Sequence, residues 1–214
     1  MADGRPNPYI YVTWLTKLIA GENQCEWSSW FKAHYRYEKL SSDFNTAKWT
    51  ADHNQLLHRR KGELEKMGHT VYIEDQNKFT LKGKTGIDLG GKADIVGVNG
   101  IEAVVEDAKT GSPKNSDHIQ VLIYMMVLPL AILRYKDMKF DGRIVYRDQI
   151  IDIPHSALDE NFKSKFRDAV LKIGGTPPAV KIPSFGECKW CDIPPADCAA
   201  RVSESVPAVK TDLF

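Results

Sequence analysis

The feature that most constrains the fold is a stretch in which two apolar segments flank an Asn-Gly pair. It reads GKADIVGVNGIEAVVEDAKTG and spans Gly91–Gly111. Asn99–Gly100 between apolar runs of period two is a strong signal for a β-hairpin, because a type I′ turn requires positive φ at both central residues. The sequence therefore predicts two antiparallel strands, Lys92–Val98 and Ile101–Lys109, joined by a two-residue loop.

The register of this hairpin gathers three charged side chains on one face. The predicted pairing places Asp94 opposite Val105. Side chains alternate between the faces of a strand, so Asp94, Asp107 and Lys109 share a face, whereas Glu106 points to the other one. Asp94 and Asp107 are then diagonal neighbours, roughly 7–8 Å apart at the backbone. At that separation, two carboxylates can bind one hard cation.

Two interpretations of this charged trio are open on the residues alone. The trio is either a set of solvated side chains on a surface hairpin or a functional site. Its face also carries the apolar residues Val96, Val98 and Val105, and unpaired charge on a half-buried face costs free energy. A divalent cation would supply the missing partner, so we favour the functional site.

The segment after the hairpin predicts a buried helix with two polar positions on one side. Asp117–Tyr135 is apolar nearly all round. Gln120 and Tyr124 are four residues apart and therefore share a helix face. Taken alone, they fit a Gln that is hydrogen-bonded to the backbone and a Tyr in the core. Beside the charged hairpin, a role in orienting a substrate is favoured.

The rest of the chain predicts helices around a mixed sheet, which is the α/β class. Residues 9–198 are expected to form a single domain, with flexible tails at 1–8 and 199–214. The further predicted helices are Tyr9–Ala20, Trp27–Tyr37, Ala51–Met67 and Asn161–Ile173, and the further predicted strands are Thr70–Glu74, Phe79–Lys82, Arg143–Arg147 and Gln149–Ile153.

Charge and hydropathy exclude several classes of function. The 29 basic and 28 acidic side chains exclude a strongly basic, histone-like binder, so nucleic-acid contacts must come from local patches. The start of the chain lacks the layout of a secretory signal. The most apolar run, Val121–Leu133, contains Pro129 and is too short to span a bilayer. We therefore expect a soluble, cytoplasmic protein without a membrane partner.

The residues singled out above resemble, in type and order, the PD-(D/E)XK nucleases. Asp94, then Asp107–Ala108–Lys109, then Gln120 and Tyr124 in a Q-x-x-x-Y helix, is similar to the RecB-like branch of that superfamily. A lone cysteine near the start and a C-x2-C-x6-C cluster near the end resemble its iron–sulfur subgroup, which includes CRISPR spacer-acquisition exonucleases and AddB-type recombination nucleases. The resemblance covers about Tyr9–Cys198. Asp107 departs from the Glu that this branch more often has, and the superfamily allows either.

This resemblance implies a fold and a function. The fold would be a restriction-endonuclease-like core with an iron–sulfur-clamped helical cap. The function would be that of a Mg²⁺- or Mn²⁺-dependent deoxyribonuclease, an exonuclease on single strands or DNA ends that acts in DNA processing, recombination or CRISPR adaptation. The implied partners are DNA and the CRISPR integration, helicase or recombination proteins of a bacterial, archaeal or phage system.

The resemblance also implies a role for each matched residue. Asp94, Asp107 and the carbonyl of Ala108 would hold the catalytic metal, and Lys109 would position or polarise the attacking water. The Gln and Tyr of the Q-x-x-x-Y helix would steady the substrate and the lysine. Such a set suits phosphodiester hydrolysis, which needs a cation to neutralise developing charge and to make hydroxide available near neutral pH.

The RecB-like branch also uses a histidine from an upstream helix as a metal ligand, and two residues compete for this role. On the predicted helix Ala51–Met67, at about 100° per residue, His53 falls in the apolar arc and His58 falls roughly opposite. A ligand that reaches a site on the sheet must lie on the inward face, so we choose His53, with a core histidine bonded to a carbonyl as the alternative. His58–Lys61 is expected to be an exposed basic patch. The apolar arc consists of Leu56, Leu57, Leu64 and Met67.

Four cysteines predict a second metal centre that joins the two ends of the chain. Cys188, Cys191 and Cys198 cluster near the end, and Cys25 would be the fourth ligand. Four thiolates fit either a 4Fe–4S cluster or structural zinc. Zinc ribbons usually pair two C-x2-C knuckles, so the one-plus-three layout favours the 4Fe–4S cluster over zinc, as does the resemblance. Unligated thiols are the third alternative. Either metal would be chiefly structural, because closing so long a loop stabilises the fold.

Three functions are weighed on this basis. The first is the deoxyribonuclease. The second is an iron–sulfur module that binds nucleic acid or a partner protein with little cleavage, and the intact trio of Asp94, Asp107 and Lys109 argues against it. The third is an RNA-directed nuclease, which the sequence leaves open. The candidates for stacking on single-stranded bases, for which core or cluster packing is the favoured role, are Trp27, Trp30, Trp49 and Trp190.

Overall fold

The chain has a mixed α/β architecture in which helices flank two main sheets. The computed structural model describes residues 2–41 and 45–204. The strands are β1 (Asp3–Gly4), β2 (Tyr9–Tyr11), β3 (Tyr35–Arg36), β4 (Thr70–Ile73), β5 (Lys78–Lys82), β6 (Asp88–Lys92), β7 (Ile95–Asn99), β8 (Glu102–Ala108), β9 (Lys139–Val145) and β10 (Ile150–Ile153). The helices are α1 (Val12–Ile19), α2 (Glu26–His34), α3 (Thr46–Lys66), α4 (Asn115–Ala131), α5 (Glu160–Gly174) and α6 (Phe185–Lys189).

The larger sheet has five strands in the order β10-β9-β8-β7-β4. All neighbours are antiparallel except β8 and β9, which run parallel. A parallel pair needs a crossover connection, and α4 supplies it between these two strands. A Cβ at Gly142 of β9 would overlap Val121 and Met125 of α4, so glycine allows the helix to approach the sheet. The smaller sheet, β2-β6-β5, contains a parallel pair, β2 and β6.

The two faces of the larger sheet pack against different helices, as the period-two pattern predicts. Val96 and Val105 belong to the main core, together with buried residues of α4 such as Tyr124. Ile95 and Val104 point the other way and cluster with the buried leucines of α3, Leu57 and Leu64. The hairpin is therefore buried on both faces, and charged side chains at its end need polar partners.

Several predicted elements have different bounds in the structure. The first three residues of the predicted helix Tyr9–Ala20 form β2, and residues of the predicted strand Lys92–Val98 belong to two strands in different sheets. The segment 1–8, expected to be a flexible tail, contains β1, which pairs with β3. Strands of two or three residues are too short to show a period of two. Met67 is 52% exposed and not part of the inward arc of α3.

The predicted C-terminal tail is only partly described. Residues 205–214 lie outside the described residues. Arg201 is ordered by hydrogen bonds to backbone carbonyls near the cysteines. Among the described residues, no helix is both long enough and apolar enough to cross a lipid bilayer.

The hairpin turn lies one residue later than predicted, which corrects the register. Asn99 pairs with Glu102, so the two-residue loop is Gly100–Ile101. Gly100 has φ +63° and Ile101 does not have positive φ, a combination typical of a type II′ turn. Moving the register by two residues leaves every side chain on its predicted face, so apolar alternation alone does not distinguish the two registers.

Glu106 is fully buried on the face opposite the predicted metal site. It pairs there with Arg60 of α3 through Nη2–Oε1 and Nε–Oε2 hydrogen bonds of 2.7 and 2.9 Å. Arg143 of β9 approaches the same carboxylate at 3.2 Å. The predicted exposed basic patch His58–Lys61 is therefore wrong at Arg60, which is 5% exposed because the opposing acid lies inside the protein. The alternation of side chains along β8 predicts the face on which Glu106 lies, but it does not identify the residue that pairs with it.

Replacing Arg60 by Met is expected to destabilise the fold by about 3–5 kcal/mol, because it leaves a buried carboxylate with an incomplete set of partners. Urea unfolding followed by circular dichroism measures this change. The matched control is Arg59→Met. The neighbouring Arg59 is half exposed, and its ion pair with Glu63 and its hydrogen bond to the carbonyl of Arg147 lie at the surface, where ion pairs contribute about 0–1 kcal/mol. Equal effects of the two substitutions would contradict the buried ion pair as a stabilising contact.

Candidate metal centre

Asp94 and Asp107 meet at the end of the hairpin where β7 begins and β8 ends. The observed register places Asp107 directly across from Asp94, rather than diagonal to it as predicted, because Ile95 pairs with Glu106. Both carboxylates line a cleft of 910 Å³ between the two sheets and α3. The predicted residues His53, Ala108, Lys109, Gln120 and Tyr124 line the same cleft.

Asp94 is held by two donors that reach the same oxygen. The backbone N–H of Ala108 donates to Asp94 Oδ2 at 2.8 Å. His53 Nε2 lies 3.1 Å from this oxygen. This hydrogen bond raises the pKa of His53 above its usual range, against the opposing effect of burial. His53 is buried and faces the site, whereas His58 is exposed, which agrees with the predicted inward face of the helix.

Asp107 is buried and is surrounded by donors from two directions. Lys109 Nζ lies 2.6 Å from Asp107 Oδ2, and Gln120 Nε2 donates to Oδ1 at 2.9 Å. Burial raises the pKa of Asp107 to about 7, although the charge of Lys109 acts in the opposite direction. Gln120 also accepts a hydrogen bond from Lys109 at 3.0 Å through Oε1. Gln120 therefore bridges the acid and the lysine, which explains a polar residue on this apolar helix.

Tyr124 lines the cleft but is bonded elsewhere. Its hydroxyl donates to the carbonyl of Lys92 at 2.9 Å, and burial raises its pKa. Phe79 packs against its ring at an edge-to-face angle of 89°. Tyr124 thus fixes the end of β6 beside the cleft, while Gln120 makes the direct contacts with the charged pair.

A third carboxylate, Asp117, approaches Lys109 from the first turn of α4. Its Oδ1 atom lies 3.8 Å from Lys109 Nζ. Its Oδ2 atom accepts hydrogen bonds from the N–H of Lys114 at 3.2 Å and from the hydroxyl of Tyr146 at 2.7 Å. Tyr146 follows β9, and Lys109 N donates to the carbonyl of Val145 in the preceding position. This parallel pairing places the tyrosine beside the lysine.

Sequence reasoning missed Tyr146 and gave no separate role to Asp117. Asp117 had a detectable signal, because it stands one helical turn before Gln120 on the same side. Tyr146 had none, because its position depends on a parallel strand pair formed across a helix. Lys109 is thus held by contacts from β8, α4 and the end of β9.

The chemistry of this donor set fits a hard divalent cation. Carboxylate and carbonyl oxygens are the ligands that Mg²⁺ and Mn²⁺ prefer, whereas an imidazole is a softer donor. Among the described residues, buried Asp107 Oδ2 accepts no hydrogen bond, and it forms an ion pair with Lys109. Within residues 2–41 and 45–204, no three side chains of His, Cys, Asp or Glu are gathered closely enough to bind one ion as they stand.

The four cysteines line a second cavity, of 480 Å³, at the junction of the two chain ends. Cys25, Cys188 and Cys198 are buried, Cys191 is half-buried, and all four are free thiols. Burial raises the pKa of the Cys25 thiol. Sulfur donors are the ligands that soft metals prefer, although no three of these four cysteines are close enough to bind one ion as they stand.

Two charged side chains hold the segments that carry these cysteines. Glu187 of α6 accepts hydrogen bonds from the N–H groups of Gln24 and Cys25, at 2.8 and 3.0 Å. The guanidinium of Arg201 donates to the carbonyls of Cys188, Cys191 and Ile193, at 2.6–2.9 Å. The cysteine loops are thus positioned by contacts other than the thiols themselves.

No family model matches the chain, and no curated protein matches it. Among solved structures, the chain is similar to one described as the crystal structure of SSO0001, with 18% sequence identity and a TM-score of 0.48. The similarity covers 88% of this chain and 85% of that chain.

Proposed function

We propose that this protein is a Mg²⁺- or Mn²⁺-dependent nuclease that hydrolyses phosphodiester bonds in DNA. The observation that carries the proposal is the convergence of Asp94, Asp107 and Lys109 in one cleft, with His53 bonded to Asp94. Two acids and a lysine in the order seen here resemble the RecB-like branch of the PD-(D/E)XK superfamily. We assign the larger sheet and its helices to a restriction-endonuclease-like core.

Four groups would hold the catalytic metal: the carboxylates of Asp94 and Asp107, the imidazole of His53 and the carbonyl of Ala108. When bound, the cation neutralises charge that develops on the phosphate and lowers the pKa of water. Asp94 is oriented for this role by the Ala108 N–H. Asp107 is oriented by Gln120. A ligand fixed by hydrogen bonds in this way loses little entropy when it binds an ion.

Lys109 supplies the positive charge that the reaction needs beside the metal ligands. Its ammonium group contacts Asp107 and Gln120 and remains partly open to the cleft. Burial lowers the pKa of Lys109, but the charges of Asp107, Asp117 and Asp94 together outweigh this effect, so the pKa is raised above its usual range. A protonated lysine held at this point can orient the attacking water and stabilise the anionic transition state.

The cysteine cavity would hold a 4Fe–4S cluster, with structural zinc as the alternative. Cys25 comes from the start of the chain and the other three cysteines from its end, so four thiolate bonds would tie both ends into an iron–sulfur-clamped cap. The cysteine cavity and the metal-site cleft each share lining residues with a further cavity that lies between them. We assign the cluster a structural role, because electron transfer has no part in phosphodiester hydrolysis.

The function is tested by incubating the purified protein with end-labelled single- and double-stranded DNA, with and without Mn²⁺. Cleavage that requires the cation supports the proposal. DNA binding without any cleavage would overturn it and would indicate an iron–sulfur binding module. RNA substrates in parallel reactions show whether DNA is the preferred polymer.

Replacing Tyr146 by Phe is expected to reduce kcat by about 10-fold or more, with KM changed less than about twofold, because residues that orient a metal-site group typically contribute 10–100-fold. The substitution removes the hydroxyl bonded to Asp117 and leaves the ring in place. Initial rates over a range of DNA concentrations separate the two constants.

The control for Tyr146 is Tyr135→Phe. Tyr135 is also buried, and its hydroxyl donates to Asn77 Oδ1 at 2.6 Å, away from the cleft. Both substitutions remove one buried hydrogen bond, so a purely structural effect would change both proteins alike. A normal kcat in Tyr146→Phe would contradict its role in positioning Lys109 through Asp117.

A further inference from the structure

Two of the four tryptophans for which core or cluster packing is the favoured role are exposed. Trp27 and Trp30 are buried, whereas Trp49 is 44% and Trp190 73% exposed. An indole ring offers a large apolar surface with one polar N–H, which suits it to contact a ligand where it is exposed. Trp190 follows α6, between two of the cysteines.

A third cavity, of 710 Å³, connects the metal-site cleft with the cysteine region. It shares Trp49 and Thr110 with the cleft, and Thr110 directly follows Lys109. It shares Trp190, Cys191 and Arg201 with the cysteine cavity. We call this third cavity the tryptophan groove. A chain-like ligand that enters the metal site can therefore continue along the groove towards the cysteines.

The groove carries an excess of positive charge. Its lining has four basic side chains, Lys48, Arg147, Lys189 and Arg201, and two acidic ones, Asp52 and Asp192.

Both acids of the groove are already paired. Asp52 bonds Arg147 at 2.6 Å, and Asp192 bonds Lys32 at 2.7 Å. Lys189 Nζ lies 5.5 Å from the centre of the Trp190 ring. A cation beside an exposed aromatic ring can contact a phosphate while the ring contacts a base.

We propose that the tryptophan groove binds single-stranded nucleic acid, with one unpaired base stacked on Trp190 and the backbone phosphates beside Lys48 and Lys189. This inference rests on the proposed function and deepens it, because it assigns the residues that would hold the single strand. Inside a duplex, the faces of the bases are covered by their neighbours, so away from the duplex ends an exposed indole can stack only on an unpaired base. The bound nucleic-acid strand then extends from the metal centre to the cysteine cavity.

Binding is measured in EDTA, so that cleavage plays no part. Fluorescence anisotropy with labelled oligo-dT, oligo-rU and a duplex of equal length is compared for the protein and its Trp190→Ala variant. Loss of one stacked base costs about 1–3 kcal/mol, so we expect single-strand affinity to fall about 5- to 150-fold, with duplex affinity unchanged. The two single-stranded probes distinguish DNA from RNA.

Two further variants make the test specific. Trp190→Phe keeps an aromatic face and is expected to retain most of the affinity. Leu133→Ala removes another exposed apolar side chain, which does not line the groove, and is expected to have no effect. Thermal unfolding establishes that each variant is folded.

The inference is overturned if Trp190→Ala binds single strands as tightly as the unaltered protein, or if it weakens duplex binding equally. It is also overturned if the unaltered protein binds no single strand, in which case Trp190 is a candidate contact for a protein partner. The outcome of the cleavage experiment is independent of the outcome of this binding experiment. A protein that binds single strands through Trp190 and cleaves nothing contradicts the proposed function and leaves the groove intact.

Discussion

Replacement of Asp107 by Asn is expected to reduce cation-dependent DNA cleavage by roughly 10²–10⁴-fold, since a metal ion contributes several kcal/mol of transition-state stabilisation. Asn has nearly the same shape and can still accept the hydrogen bond from Gln120. It lacks the negative charge that would hold the metal and that pairs with Lys109. The expected loss therefore arises from charge at the metal centre and not from a cavity in the core.

Two measurements connect this loss to the metal. Initial rates on end-labelled DNA give the loss of activity, and isothermal titration calorimetry with Mn²⁺ gives the loss of cation affinity. Glu102→Gln is the matched control, because Glu102 is an exposed acid at the other end of the same strand. Equal cleavage by the unaltered protein and Asp107→Asn would mean that the activity belongs to a contaminant or to another site.

If the cysteine cavity holds the proposed 4Fe–4S cluster, replacement of Cys188 by Ser is expected to remove it and to lower the melting temperature by about 10–20 °C. The cluster would connect segments about 160 residues apart, as the contact between Cys25 and Glu187 does. Closing so long a loop contributes about 5 kcal/mol through chain entropy. For a chain of this length, each kcal/mol corresponds to about 2–4 °C.

The cluster is measured by visible absorbance and iron content after anaerobic purification, and stability is measured by thermal unfolding. Ser184→Ala is the control, because Ser184 caps the helix that carries Cys188, and losing a cap costs about 0.5–2 kcal/mol. This control should keep its colour and most of its stability. If the unaltered protein is colourless and contains zinc, the iron–sulfur assignment is wrong. If the unaltered protein contains no metal and is no more stable than Cys188→Ser, neither metal is present at this site.

Much of the candidate site was predictable because it depends on local patterns. Alternation along β7 and β8 placed Asp94, Asp107 and Lys109 on one face. The helical period placed His53 inward and His58 outward. The predicted faces are correct although the turn was predicted one residue too early, because a register shift of two residues does not change which face a side chain occupies. The α/β class followed from the same periodicities.

Other features depended on contacts between distant segments. Arg60 was predicted to be exposed and is buried, because its partner Glu106 lies on a strand 46 residues away. The short strands β1, β2 and β3 form only through pairing with segments distant in sequence or with each other. No local propensity identifies strands of this length.

The sequence by itself determined the class of the fold, the face that carries the acids and lysine, and the cysteines that come from opposite ends of the chain. Local periodicity and residue chemistry are enough for these. Only the tertiary structure decided that Asp107 lies directly across from Asp94, that Tyr146 supports Lys109 through Asp117, and that Trp190 is exposed at the end of a groove. These depend on strand register, on the parallel pairing across α4 and on packing between elements, which are set by the free energy of the whole fold and not by neighbours in sequence.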